Sequence, residues 1–369
     1  MQTCYLFAGG GTGGHLTPGL AVAAELQNRN PECRIVVAGS DRPLERKLIA
    51  DAGHHHVTLP VESSRTLLRN PFRFAWSNWR ALLTARKLIE QEQPLGVIGL
   101  GGYASVPTVL AATRRKIPTV LLEQNAIPGR ATRLLCRRAG AVCATFDGTE
   151  QRLRTGARVV VTGNPVRPGI AALCQRDPGV TSQDAPTLLV LGGSQGAQSL
   201  NDAVVSMLMQ NLPQLAGWRV VHQTGDLHHA EILRRYGAIE RNCTVAPFFD
   251  DMPGLYASAT LVVSRAGATT LAELACAGCP AILLPYPHAA DNHQLANARA
   301  FERAGAAIVI EHDARPETTA NHLTQAVAEL AADAAQREAM RQSLYHLARP
   351  DAANQVVDIL QSLIAGNSC

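Results

Sequence analysis

The chain has 369 residues, of which 46% are apolar, and a net charge of +4. That length exceeds what one hydrophobic core usually supports, so it predicts two domains of roughly 150 to 200 residues each. Nothing approaches the ~18 unbroken apolar residues of a membrane span, and the opening MQTCYLF shows neither a basic start nor a cleavage site, so a chain on the cytoplasmic side is expected.

From the amino end, short apolar runs alternate with helical stretches: CYLFAGG, LAVAAELQ, RIVVAGS, LERKLIADAG. The alternation predicts parallel sheets flanked by helices, an α/β protein. Between the first strand and helix lies GGGTGGHLTPG, where residues 9 to 14 satisfy GxGxxG and the helix is expected to begin near Thr17 and Pro18. Glycines there let the main chain approach a ligand closely, and a helix start offers unpaired N–H groups and partial positive charge. A dinucleotide site would add an acidic residue at the tip of the second strand. RIVVAGS ends instead in Gly39 and Ser40 with Asp41 just beyond, which makes a nicotinamide dehydrogenase a distant reading. His54, His55 and His56 are expected in a loop before VTLPV.

Residues 62 to 90 hold Arg65, Arg69, Arg73, Arg80, Arg86 and Lys87 with no acid between Glu62 and Glu90. Asn70 and Pro71 suit a helix start. Beyond them Phe72, Trp76, Trp79 and Leu83 recur on one face, and Arg73, Arg80 and Lys87 form a row alongside. Two readings fit: a helix turning its apolar stripe inward, or one lying on a membrane interface, where anionic head groups add about 1 kcal/mol per nearby cation. Up to Gly163 the chain carries 21 Lys and Arg against 11 Asp and Glu, a charge of +10, whereas the remainder carries −6. An anionic partner is therefore drawn to the first half. No nucleic-acid-binding module accompanies the cations.

LGVIGLGG, TVLLEQN and RVVVTGN continue the strand series up to TGNPVRP, residues 162 to 168, where Asn164 and Pro165 break the pattern and a domain joint is expected. TLLVLGGSQGAQ then starts over, strand through glycine turn into helix, followed by WRVVHQTG, LVVSRAG and AILLPYP. Two similar α/β lobes in tandem are the economical reading. VVSRAGATTLAELACAGCP, residues 262 to 280, reads as strand, glycine turn and a helix opening near Thr269 and Thr270. Its N–H groups suit a diphosphate, and the Glu273 carboxylate suits two hydrogen bonds from a ribose diol. Taken singly, Gly267 and Glu273 also fit a tight turn and an exposed helix charge. Cys276 and Cys279 form a lone CxxC with no second pair, which favours packing over metal or redox chemistry.

The blocks GGGTGGHLTPGLAVA, GLGGYASVP, LLEQNAIPGRA, GNPVRP, LGGSQGAQSLN and SRAGATTLAELACAGCPAILLPYPHAADNHQLANA, in this order from about Leu6 to Ala307, resemble the MurG family. These are the bacterial UDP-N-acetylglucosamine transferases that convert lipid I to lipid II in peptidoglycan synthesis. The resemblance implies a GT-B fold, two Rossmann-like parallel-sheet lobes separated by a cleft. It assigns 1–163 to the acceptor and membrane-facing lobe, rejoined by a terminal helix at 346–369, and 164–345 to the UDP-N-acetylglucosamine lobe. It also implies inversion at the anomeric carbon, with no metal and no cofactor. Carried over position by position, Thr12, Gly13 and Gly14 lie beside the donor and Asn125 reaches its sugar. Arg167 and Ser194 meet the nucleotide end and the diphosphate. Phe249 matches a backbone contact to uracil, although an aliphatic residue is common there. Ala268, Thr269, Thr270, Leu271, Ala272 and Glu273 wrap ribose and diphosphate, and Gln294 binds sugar hydroxyls.

An inverting displacement needs a base on one face and charge stabilisation on the other. No DxD-like acidic pair follows a strand to hold a metal, so the leaving charge falls to helix starts and to Arg265. His15, whose side-chain type is the usual acid–base group near neutral pH and which follows the glycine loop, is expected as general base or as orienter of the attacking hydroxyl; a helix-capping role is its bland alternative. Glu123 is the rival base. The lipid-borne acceptor favours the interfacial reading of Phe72, Arg73, Trp76, Trp79 and Arg80, and hence peripheral attachment to the cytoplasmic face of the inner membrane. The partners expected are UDP-N-acetylglucosamine, undecaprenyl-pyrophosphoryl-MurNAc-pentapeptide, an anionic membrane surface, and cell-wall and division proteins. The alternative is another UDP-sugar enzyme of this architecture, such as a 2-epimerase; a two-lobed binding protein stands behind both.

Overall fold

The computed structural model describes residues 2–11, 13–62, 66, 69–153, 156–175, 185–193, 197–239 and 241–367. They form two compact units, Met1–Arg167 with Asp351–Cys369, and Pro168–Pro350. The strap between them goes with the first unit because Thr162 and Asn164 are buried there and the N–H groups of Thr162 and Gly163 both donate to Ala144 O. The first unit therefore ends at Arg167, four residues beyond the expected 163, and is rejoined from Asp351 rather than 346.

In the first unit the strands are β1 (Cys4–Gly9), β2 (Arg34–Gly39), β3 (His55–Thr58), β4 (Gly96–Gly101), β5 (Thr119–Glu123), β6 (Ala141–Ala144) and β7 (Val159–Val161). They form one parallel sheet ordered β3-β2-β1-β4-β5-β6-β7. The central strands β1 and β4 are unbroken apolar runs because helices cover both faces and every residue of theirs is buried. One face buries Phe7, Ile35 and Ile98 with Val22 and Leu26; the other buries Leu6, Val36 and Val97 with Ala85 and Ile89. The terminal helix Ala352–Asn367 returns to the first face, inserting Val356, Val357 and Leu360. Arg29 fastens it through Asp358 and Asn354. A histidine loop does not form at 54–56: His55 and His56 lie in β3, paired with Val36 and Val37.

The second unit repeats the plan with β8 (Thr187–Leu191), β9 (Arg219–Gln223), β10 (Cys243–Ala246), β11 (Leu261–Ser264), β12 (Ala281–Leu283) and β13 (Ala307–Val309). All pairs are parallel, ordered β10-β9-β8-β11-β12-β13. In both sheets the chain reverses its direction of travel beside the first strand, between β1 and β4 and between β8 and β11. Loops leaving the carboxyl ends of such strand pairs diverge and open a crevice, the usual ligand position in doubly wound sheets. Cys276 and Cys279 are buried, and burial pushes the Cys279 thiol up to about 12, so both serve packing.

Candidate active site

At the first reversal point β1 runs into Gly9, Gly10 and Gly11, with φ of 116°, 148° and 87°. Side chains rarely adopt these angles, so glycine is required here. A Cβ on Gly9 would stand 2.7 Å from Gly101 O, which is how closely this turn approaches the end of β4. The helix begins at Gly13 rather than at Thr17, which puts His15 in its first turn instead of ahead of it. The His15 imidazole lies against the main chain of Gly101, where a Cβ would come within 3.0 Å of its Cδ2. Gln124, at the end of β5, donates to Leu100 O at 2.9 Å and closes the same corner.

Glu123 is 3% exposed, and its two oxygens accept the N–H groups of Asn125 and Gly129 at 3.0 and 2.9 Å. Burial raises its pKa, while hydrogen bonds from Thr132 and from those N–H groups pull it back. This is the geometry of a clamp that shapes the loop 124–129 and presents Asn125.

The second reversal point lies between Gly192–Gly193 and Arg265–Gly267. The helix Ala268–Ala277 starts at Ala268, and its N-cap is Gly267, which has no side chain of its own to cap it. Beside it the Arg265 guanidinium is buried, donating to Leu284 O at 2.9 Å and Ser199 Oγ at 2.7 Å, with His312 Nε2 also against it. Arg265 Nε has no hydrogen-bond partner among the described residues. Burial pulls the Arg265 pKa down to about 10, so it stays charged at neutral pH. A desolvated cation beside the positive end of a helix favours an anion. Glu273 is buried a turn and a half inside the helix, and Tyr256 Oη donates to its Oε2 at 3.0 Å.

Two further features of this unit were not legible in the sequence. Asp291 and Asn292 adopt left-handed φ of 52° and 53° just ahead of the helix His293–Arg303. Two successive strained residues fix Gln294, whose Oε1 accepts the Tyr286 N–H at 3.0 Å. Behind the glycine turn, His222 is fully buried between Tyr236 Oη at 2.8 Å and Asn201 Oδ1 at 3.1 Å. A cavity of about 520 Å³ near Trp218 and Arg241 opens at the amino ends of the strands, away from these loops.

Residues 5–144 match the glycosyltransferase family 28 N-terminal domain, and residues 187–358 match its C-terminal domain. A transferase of Syntrophotalea carbinolica is 42% identical over 86% of this chain and 88% of its own length. It is named UDP-N-acetylglucosamine--N-acetylmuramyl-(pentapeptide) pyrophosphoryl-undecaprenol N-acetylglucosamine transferase. The crystal structure of Acinetobacter baumannii MurG superposes with a TM-score of 0.73 at 30% identity, covering 98% of this chain and 99% of that one. The chain belongs to the MurG family of glycosyltransferases. Its fold is GT-B, two Rossmann-like parallel-sheet units. A UDP-N-acetylglucosamine 2-epimerase of Neisseria meningitidis has a TM-score of 0.67 at 14% identity, over 98% of this chain and all of that one, a likeness of fold alone.

Of the positions expected from the MurG family, Thr12 and Ser194 lie outside the described residues. Gly13, Gly14 and His15 lie at the first unit's reversal point, Asn125 follows the carboxyl end of β5, the strand next to β4, and the run from Ala268 to Glu273, with Arg265, lies at the second unit's reversal point. Arg167 closes the first unit. The Phe249 N–H, a candidate for uracil, is turned to Gln223 Oε1 at 3.3 Å, which holds its loop to the end of β9. Phe72, Trp76 and Trp79 are 87%, 62% and 51% exposed along the helix Pro71–Glu92, whose buried face is Ala81, Ala85, Leu88 and Ile89. The inward reading of the aromatic stripe is thereby excluded. Arg73 pairs with Glu62 at 2.7 Å, Arg80 is exposed, and Arg65 lies outside the described residues.

Proposed function

We propose that this protein moves N-acetylglucosamine from UDP-N-acetylglucosamine to the 4-hydroxyl of the muramyl sugar on undecaprenyl-linked lipid I, giving lipid II. The observation that carries this is sequence identity of 42% along both units to a transferase named for that donor and acceptor. The epimerase reading has only the fold in its favour.

In this reading the nucleotide sits at the carboxyl ends of β8 and β11. The diphosphate meets the amino end of Ala268–Ala277 and the Arg265 charge, which take up the negative charge leaving with UDP. Glu273, held by Tyr256, accepts from the ribose; Gln294 and Asn125 address the sugar. Ser194, Thr12, Gly13, Gly14 and Arg167 complete the donor contacts, with Phe249 at the uracil edge. His15 takes the proton from the attacking hydroxyl, and Glu123 acts through Asn125 by shaping its loop.

The aromatic and cationic stretch of Phe72, Arg73, Trp76, Trp79 and Arg80 lies on the inner leaflet, making the enzyme peripheral on the cytoplasmic face of the inner membrane. Its support is the exposure of three large rings beside cations, since water disfavours such a patch and an interface accepts it. Among the described residues no helix is long and apolar enough to cross a membrane. As a supplier of wall precursor the enzyme serves peptidoglycan synthesis, and through it cell shape and division, alongside the proteins of those processes.

The test is radiolabelled UDP-N-acetylglucosamine offered with and without a lipid-linked muramyl acceptor. Transfer that requires the acceptor is expected; epimerisation of the donor without it overturns the reading.

A further inference from the structure

The segment leaving β2 holds the glycine turn from outside it. Glu45 sits in the first turn of the helix Pro43–Asp51 but is only 2% exposed, because its side chain points back under the turn. Its Oε2 accepts the Gly11 N–H at 2.9 Å and Ser40 Oγ at 2.6 Å, and its Oε1 accepts the Ser40 N–H at 3.0 Å. Arg42, three residues earlier, donates to Gly11 O, so Gly11 is held at both its N–H and its carbonyl. The fit leaves no slack: a Cβ on Gly10 would lie 2.2 Å from Glu45 Oε1, and one on Gly39 would lie 1.8 Å from the same atom. Two glycines are thus explained by the space the carboxylate occupies. Gly11 is two residues from the helix that begins at Gly13 and four from His15, so the position of Gly11 sets where that helix starts.

We propose that Glu45 is a positioning residue for the transfer reaction: it fixes the Gly9–Gly11 turn and thereby the placement of His15 against Gly101. This rests on the glycosyltransferase reading for its kinetic consequence and not for its structural one. A carboxylate suits the place because all three partners are donors. In Glu45→Gln, whichever way the amide sits, an NH2 faces a backbone N–H, whereas Glu45→Ala removes every acceptor and leaves space.

The experiment takes the full chain with Glu45→Gln, Glu45→Ala and Gly39→Ala, the last displacing the carboxylate without altering it. Steady-state transfer is measured per folded protein, together with the ring NMR signals of His15, assigned by their loss in His15→Gln. Misplacing a reacting group by about 1 Å costs on the order of 100-fold, so Glu45→Ala is expected to lose about that much kcat. Glu45→Gln, keeping shape and one acceptor, loses about tenfold. The His15 signals shift in all three. Unchanged kcat, or a fall in kcat with the His15 signals unmoved, overturns the proposal. Should Glu45→Ala or Gly39→Ala fail to fold, Glu45→Gln decides alone. If the parent protein shows no transfer, the activity reading fails, and the His15 signals still decide whether Glu45 sets that position.

Discussion

His222 Nε2 and Asn201 Oδ1 stand 3.1 Å apart in the interior of the second unit. Asn201 Nδ2 donates to Thr224 O at 3.0 Å, so its Oδ1 is an acceptor and His222 carries its proton on Nε2; Nδ1 then accepts from Tyr236 Oη. Neutral imidazole satisfies every partner, and a second proton on the ring would leave Tyr236 facing a donor. Burial accordingly pulls the His222 pKa from 6.5 down to about 3. A depressed folded-state pKa means that the unfolded chain binds the proton first. The stabilisation is complete above pH 6.5 and is lost as pH falls toward 3. For this one residue the loss between pH 7.5 and 5 is about 2 kcal/mol. His312, lowered to about 4 by burial and by the Arg265 charge, adds in the same direction. Urea unfolding at the two pH values should show the drop, with a shallower dependence in His222→Gln. An identical dependence in that variant removes His222 as its source.

His15→Ala is expected to lower kcat by about 10²- to 10⁴-fold, the usual range for losing a general base. Donor KM should change little, because His15 is not itself among the residues proposed to contact the donor. Full turnover in the variant would take His15 out of the mechanism.

Glu123 should behave otherwise. With both oxygens accepting backbone N–H groups, Glu123→Gln turns one donor against another and disturbs the loop that carries Asn125. The cost is about 1–3 kcal/mol, appearing as weaker donor binding and a lower unfolding midpoint. If kcat falls by the full general-base factor while donor affinity and stability are unchanged, Glu123 is the base and His15 is not.

What the sequence revealed, and what it hid, follows from how burial writes itself into residue order. β1, β4, β8 and β11 are covered on both faces, so CYLFAG, GVIGLG, TLLVL and LVVS read as unbroken apolar runs. β6, with AVCA, is built of small residues. β10 and β13 are an edge strand and a strand of three residues; none of these is distinct from loop or helix by pattern alone. The glycine turns were legible because positive φ leaves a compositional mark. Their fastenings were not: Glu45 looks like any charge in PLERKL, and His222 like an ordinary member of RVVHQ. Each becomes special only when its partners, 34 residues away at Gly11 or 21 away at Asn201, fold against it. The Phe72, Trp76 and Trp79 stripe was visible from helical spacing, but spacing defines a face without saying which way it turns.

That direction supports the last prediction. Trp76 and Trp79 lie against each other as a tilted pair, with centroids 5.3 Å apart and an interplanar angle of 34°, so they form one exposed apolar surface, with Phe72 one turn before them. The helix is anchored elsewhere, by Asn70 Oδ1 accepting the Arg73 N–H at 3.0 Å and by the buried Ala81, Ala85 and Ile89. Removing the exposed rings therefore leaves fold and donor binding intact. Burying an aromatic side chain is worth about 1.5–3 kcal/mol, so Trp76→Ala with Trp79→Ala should weaken binding to vesicles by at least about tenfold. Charge reversal at Arg80 should lower affinity for vesicles containing anionic lipid, by about 1 kcal/mol for each cation lost, and the effect should fade at high salt. Flotation with zwitterionic and with anionic vesicles measures both terms. Parent protein that stays off anionic vesicles at every salt concentration would remove the interfacial role of this helix.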